Sequence, residues 1–303
     1  MPLPRPNLPL SITVLVWGFN FVAVRRLYGE GVEPVPQMTA PSVALLRFLA
    51  MWGLLWAVCK WRGDRLAYPP GQAGRILLMG FLAMGLYMVV FLEGMRTSSA
   101  AEGAIILATA PVLTLLMAVL AKQERFQVGI LVGSVFAFVG VCLVVLAGAE
   151  LGEGKLVGNL LVLSGSFIWA WSTVVSRPLV SQHSPYVILT LSMPGALPIL
   201  LPYGLADSLS LDYGAFRLDT WMMFAHVVVM AGLVGFIGFF EGVRQIGGPA
   251  AMLYQYFVPP IAALFAWLIL GTHLLPLQLI GLGVVFLGVA SAQRARTRSA
   301  QGE

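Results

Sequence analysis

"FLEGMR" occupies Phe91–Arg96, and 148 positions later "FFEGVR" occupies Phe239–Arg244. Each copy closes a long apolar run with a Glu and an Arg three residues apart, a spacing that puts both on one helical face and lets them pair. With the offset held at 148, Pro111 falls on Pro259, Gly133 on Gly281 and Gly140 on Gly288. Earlier in the chain an offset of 152 places Trp17 on Trp169 and Arg25 on Arg177. The segments 1–150 and 151–303 therefore read as two copies of one unit.

Composition says where such a unit resides. Hydrophobic residues make up 59% of the 303 positions and charged residues 10%, against about 25% charged in soluble proteins. Charge-free runs such as 76–92, 103–121, 128–149 and 220–240 match the roughly 20 residues that a helix needs to cross a bilayer core. The run 245–293 is too long for one span and breaks near Gly271 and Pro276. Backbone groups in hydrocarbon must pair internally, and the alternation of a barrel strand is absent, so helices are expected. The sequence predicts an all-α integral membrane protein with ten transmembrane helices, near 8–28, 41–61, 75–94, 102–121, 128–148, 156–177, 184–203, 218–242, 250–270 and 276–293.

Five spans per unit is an odd number, so the second copy enters the membrane inverted. The turn Lys122-Gln123-Glu124-Arg125 aligns with Leu270-Gly271-Thr272-His273, which has lost every fixed charge. With both termini cytoplasmic, twelve Lys and Arg fall inside and five outside, as the positive-inside rule favours. The net charge of +5 follows this topology and does not point to nucleic acid. Cys59 and Cys142 fall toward opposite faces, so neither a disulfide nor a metal role is expected.

Inverted-repeat transporters bind substrate near the midplane, between the halves. Polar and aromatic residues at that depth are Trp17, Asn20, Tyr87, Thr109, Thr114, Ser166, Trp169, Ser172, His226, Tyr254, Gln255 and Tyr256. Trp17 and Trp169 are repeat mates that offer a stacking surface for a flat or cationic ligand, or else pack between helices. Asn20, one turn on, either bridges helices or binds substrate. Arg47 is a fixed charge well inside a span, which makes it a functional candidate. Its structural alternative is an ion pair with Glu102; its functional one is recognition of a substrate carboxylate. His226 either couples protons or sits neutral and hydrogen-bonded. Pro111 and Pro259 should bend their helices, as static kinks or as hinges whose freed carbonyls take a substrate amine. The pairs Glu93–Arg96 and Glu241–Arg244 serve either as anchors at the span ends or as gates on the two sides of a central site. Gly232, Gly235 and Gly238 recur every third residue and favour close helix packing.

Ten helices in two inverted five-helix units resemble the drug/metabolite transporter superfamily, and specifically its EamA-type exporters. The resemblance is carried by "WGFNFVAVR" (17–25), "ALLRF" (44–48), the repeated Glu-Gly-x-Arg, "ILATAPVLTLLMAVLAKQERF" (106–126) and the Gly133/Gly140 spacing. The second copy departs where Thr272 stands in place of Glu124. Within the superfamily the chain is similar to aromatic amino acid exporters of the YddG type.

The expected function is secondary export of small amphipathic metabolites, such as aromatic or other apolar amino acids and related toxic compounds, across a bacterial inner membrane. The partners are a small-molecule substrate and the lipid bilayer, with no cofactor. The alternatives are another substrate class within the superfamily, such as nucleotide sugars, and a non-transporting membrane receptor or scaffold. An enzyme is not expected: Gly-x-Ser-x-Gly, His-Glu-x-x-His and a phosphate loop are all missing, and no Asp lies within a span.

Overall fold

A computed structural model of the chain describes residues 7–30, 38–123, 128–149, 153–246, 251–252, 254–273 and 275–300. Glu124 and Arg125, in the charged turn singled out above, lie outside the described residues. The described residues are all-helical, with no strand. The principal helices are α1 (Leu8–Leu27), α2 (Ala40–Trp61), α3 (Ala73–Gly94), α4 (Ala100–Leu120), α5 (Val128–Ala149), α6 (Glu153–Gln182), α7 (Pro185–Ser210), α8 (Leu218–Ile246), α9 (Gln255–Leu270) and α10 (Pro276–Ala300). Seven of them, α1–α4 and α6–α8, are long and apolar enough to cross a membrane; α5, α9 and α10 carry shorter apolar stretches.

Local chemistry sets the helix ends. Asn7 caps α1 by accepting from the Leu10 N–H at 3.2 Å, and Arg25 and Arg26 sit in its last turn, where the helix dipole favours cations. Thr39 caps α2 through Ser42. Ser99 and Glu102 form a reciprocal capping box on α4. Gly271 ends α9 in the left-handed region at φ 66°, a conformation that glycine reaches without strain. Several helices run past the apolar runs that predicted them: α7 reaches Ser210 and α6 reaches Gln182, because polar residues continue a helix once its apolar part is packed.

Two helices change pitch at matching places. Phe81–Leu86 of α3 and His226–Val234 of α8 are π-helical, and π segments often mark functional sites. Two others break at matching places. α4 turns at 108–109, just before Pro111. α9 opens with a 3₁₀ turn at Gln255–Phe257, just before Pro259. The regular α-helical pattern is thus interrupted just ahead of each proline, and each proline stands in the first turn of the helical segment that follows.

The main packing pairs are α5 with α10, α1 with α9 and α8, α6 with α4 and α3, and α2 with α7. The glycine stripe of α8 is packing, as its spacing predicted. A Cβ at Gly235 would strike Trp17 Nε1, one at Gly238 would lie 2.5 Å from Thr13 Oγ1, and one at Gly232 would lie 2.9 Å from Met51 Sδ. Large apolar side chains remain on the outside, including Phe136, Leu264 and Trp267, as a lipid-facing surface requires. Both cysteines are free, with Cys59 buried.

Candidate functional site

The π segment of α8 shapes the centre of the molecule. Its widened turn presents the Ala231 carbonyl sideways, and Trp17 Nε1 of α1 donates to it at 3.0 Å. One turn earlier in α1, Thr13 donates to the Gly235 carbonyl at 3.2 Å. His226 Nε2 donates to the Val16 carbonyl at 3.1 Å, and its ring lies 4.5 Å from that of Phe19. These bonds fix the face that Trp17 turns inward.

Trp17 meets Trp169 of α6 edge to face, with centroids 5.8 Å apart at 83°. Phe236 and Phe239 of α8 and Tyr87 of α3 surround the pair, each with its centroid 5.4–5.7 Å from Trp169. Edge-to-face and offset contacts of this kind are favourable for aromatic rings. The cluster walls a small cavity of about 40 Å³ halfway along α1. That space holds a few waters and is far below the ~300–1,000 Å³ of a loaded ligand pocket. The centre is thus too narrow in this conformation for a ligand of that size.

Six of the sequence candidates line this cavity: Trp17, Asn20, Arg47, Tyr87, Trp169 and Gln255. Arg47 does not reach outward to the membrane surface; it is 4% exposed and turned inward. The anticipated Arg47–Glu102 pair is not formed. Glu102 instead meets Lys155 Nζ of α6 at 3.2 Å, accepts from Gln278 Nε2 of α10 and takes the Ser99 N–H at 3.0 Å. These three donors hold Glu102 at the outset of α4. Arg47 is left with Nε and Nη1 lacking any partner, and Asn20 Oδ1 and Gln255 Nε2 share that condition.

The other candidates lie elsewhere. Thr109 donates to the Ile106 carbonyl at 2.7 Å, which Ser166 also reaches at 3.3 Å. Thr109 also faces an apolar groove between α4, α5 and α6. Ser172 is buried and bonded to the Trp169 carbonyl at 2.8 Å. Tyr254 accepts from the Asn7 N–H at 2.8 Å, at the far end of α1. The cavity also has lining residues that sequence reasoning missed: Phe21, Met88, Phe91, Leu107, Phe236 and Val258 among them. The sequence carries no signal for them, since a Phe in an apolar helix does not reveal which way it faces.

The two Glu-Gly-x-Arg motifs sit at opposite ends of α1. At the Tyr28 end, Glu93 pairs with Arg96 at 2.9 Å and accepts the Tyr203 hydroxyl of α7. Arg25 donates to the Met95 and Arg96 carbonyls at 2.8 and 2.6 Å, and Tyr28 donates to Leu92 O at 3.1 Å. The bond to Glu93 raises the Arg96 guanidinium above its ordinary range. At the Asn7 end, Arg244 donates twice to Glu241, at 2.9 and 2.5 Å, and Gln245 of the same helix adds a third bond at 2.9 Å. That pair borders a polar cleft of about 540 Å³, which Arg62, His183 and Tyr186 also line. Arg62 stacks on the Tyr186 ring at 4.3 Å.

Comparison with known proteins accounts for the twofold sequence. The model of the EamA-like transporter family matches twice, over residues 7–146 and 156–292. A Bacillus subtilis protein named as an uncharacterized transporter, YyaM, is 25% identical over 287 residues, covering 93% of each chain. A Streptantibioticus cattleyicolor protein named a probable terminal-alkyne amino-acid exporter is 24% identical over 311 residues, covering 100% of this chain and 99% of its own. A crystal structure at 16% identity superposes with a TM-score of 0.66 over 96% of this chain and 97% of the other, which shows a shared fold. Matched in both halves by one family's model, this multi-pass membrane protein belongs to the EamA-like transporter family of the drug/metabolite transporter superfamily.

Proposed function

We propose that the protein exports small amphipathic metabolites, above all aromatic or other apolar amino acids and related toxic compounds, by alternating access at the central cavity. One observation carries this reading: Trp17 and Trp169, repeat mates from the two matched segments, meet at mid-depth in a closed aromatic chamber. The relative named as an amino-acid exporter supports the substrate class.

In this reading the chain makes ten spans in two inverted halves, 1–150 and 151–303. The helix contacts support it. Shifting every helix by five exchanges α1·α9 with α6·α4, α1·α8 with α6·α3 and α2·α8 with α7·α3, and all six pairs are in contact. The π segments and the proline breaks obey the same exchange. Each half then contributes one wall, and rocking one against the other opens the cavity to one side at a time. The charge distribution supports cytoplasmic termini in a bacterial inner membrane. A cysteine at Thr272 should then react with an impermeant reagent from outside; reaction only after permeabilisation contradicts the topology.

The functional test is flux. Proteoliposomes holding the purified chain should take up phenylalanine or tryptophan against a panel of nucleotide sugars and organic cations. Uptake of nucleotide sugars alone defeats the substrate class. Retained ligand binding with no flux of any compound defeats transport.

A further inference from the structure

Three buried polar side chains enter the aromatic chamber from three helices, and each carries atoms with no partner. Arg47 of α2, Asn20 of α1 and Gln255 of α9 are 4, 6 and 7% exposed. The open atoms are Arg47 Nε and Nη1, Gln255 Nε2 and Asn20 Oδ1. Nearly all buried polar groups in folded proteins are hydrogen-bonded, and leaving a charged donor unmet in a low-dielectric interior is costly. Three such residues around one cavity therefore call for a partner from outside the chain.

The inventory of open atoms says what that partner is. Arg47 supplies positive charge and N–H donors, and Gln255 adds an amide donor, so this side fits the oxygens of an anion. Asn20 Oδ1 is an acceptor, which fits an N–H donor on the same molecule. Trp17, Trp169 and Phe236 supply ring faces and edges for an apolar side chain. We infer that the cavity recognises the zwitterion of an aromatic α-amino acid, with its carboxylate on Arg47 and Gln255 and its ammonium on Asn20. The inference rests on the exporter reading and narrows it: a decarboxylated amine or an ester with the same ring is a poor substrate. Glu102 does not compete for Arg47, because Lys155, Gln278 and the Ser99 N–H already hold it. Since the closed cavity has room for only a few waters, its aromatic walls must part to load the substrate.

The test varies the head group and holds the ring constant. Uptake of labelled phenylalanine into proteoliposomes is competed with phenylalanine, its methyl ester, phenethylamine and 3-phenylpropionate. Phenylalanine should compete at least tenfold better than the ester and phenethylamine, and several-fold better than 3-phenylpropionate. Arg47→Gln should weaken phenylalanine at least tenfold and erase its advantage over the ester, while Arg47→Lys recovers part of it. Asn20→Leu should erase the advantage over 3-phenylpropionate. Equal competition by phenethylamine and phenylalanine overturns the inference and leaves the exporter reading intact. Equal weakening of every competitor in Arg47→Gln also overturns it. If that variant does not fold, the wild-type competition series decides alone. Absence of uptake of any compound overturns both readings.

Discussion

The Glu93–Arg96 and Glu241–Arg244 motifs share a sequence pattern but not a setting. In both, the Glu and Arg pair across one helical turn. In both, the central glycine admits another helix. A Cβ at Gly94 would lie 2.8 Å from Val162 Cγ2 of α6, and one at Gly242 would strike the Leu10 side chain of α1. Val162 and Leu10 are themselves 152 residues apart, so the two contacts correspond within the repeat. The difference lies in what braces each pair. Glu93 is tied to Tyr203 of a different helix, and Arg25 and Tyr28 bind the adjoining carbonyls. Glu241 is bonded by Arg244 and Gln245 on its own helix and borders a polar cleft, and it reaches another helix only through Gln245, whose Oε1 accepts from Asn7 Nδ2 of α1 at 2.8 Å. The repeat thus fixes where a helix ends and what it packs on, while residues outside the motif decide whether that end is braced.

The comparison can be broken first at the glycines. A Cβ at Gly94 would meet backbone, Gly158 O and Val162 N, both at 2.9 Å, whereas at Gly242 it meets only the buried Leu10 side chain, Cγ and both Cδ, which can shift where backbone cannot. Gly94→Ala should therefore cost about 1–3 kcal/mol through overpacking, and Gly242→Ala clearly less. Melting curves in detergent measure both; equal losses would remove the asymmetry. A smaller effect is expected at the brace. Tyr203→Phe deletes one hydrogen bond to a partly exposed carboxylate and should cost about 1–2 kcal/mol. It should also raise the reactivity of a cysteine at Thr97 toward an impermeant reagent. Unchanged reactivity and melting temperature would mean that the brace closes nothing. The smallest effect belongs to Glu241→Gln. Its Arg244 partner is solvent-exposed, and such pairs contribute little, so the melting temperature should hold. A large loss of stability there would contradict a pair that contributes little.

Much of this molecule is legible in its sequence, for identifiable reasons. The bilayer demands long apolar runs, so most spans show themselves. The offset pairing singles out Trp17 and Trp169, which the structure brings together. Arg47 announces itself as a lone charge in a span, and it does line the cavity. The partner assigned to it does not hold. Glu102 begins its helix on the expected side, but Lys155 and Gln278 reach it first from α6 and α10, and depth along a helix says nothing about such competition. His226, a titratable residue at mid-depth, turns to the Val16 carbonyl instead of the cavity. Depth along a helix gives no azimuth, so the sequence shows that His226 is at mid-depth without showing which neighbour it faces. Phe236 stayed hidden because aromatic residues facing lipid and facing substrate look alike in an apolar run.

The central claim is that Trp17 and Trp169 line one substrate chamber between the halves. The most direct measurement compares uptake of phenylalanine and of alanine by wild-type protein and by Trp17→Ala, with a melting curve beside it. Loss of an aromatic partner worth about 0.5–2 kcal/mol weakens apparent affinity about two- to thirtyfold. We expect that loss for phenylalanine and little change for alanine, in a protein that still melts cooperatively but at a temperature lowered by the packing that goes with the indole. Equal uptake of phenylalanine by variant and wild type, or an equal decline for both amino acids with a collapsed melting temperature, would contradict it.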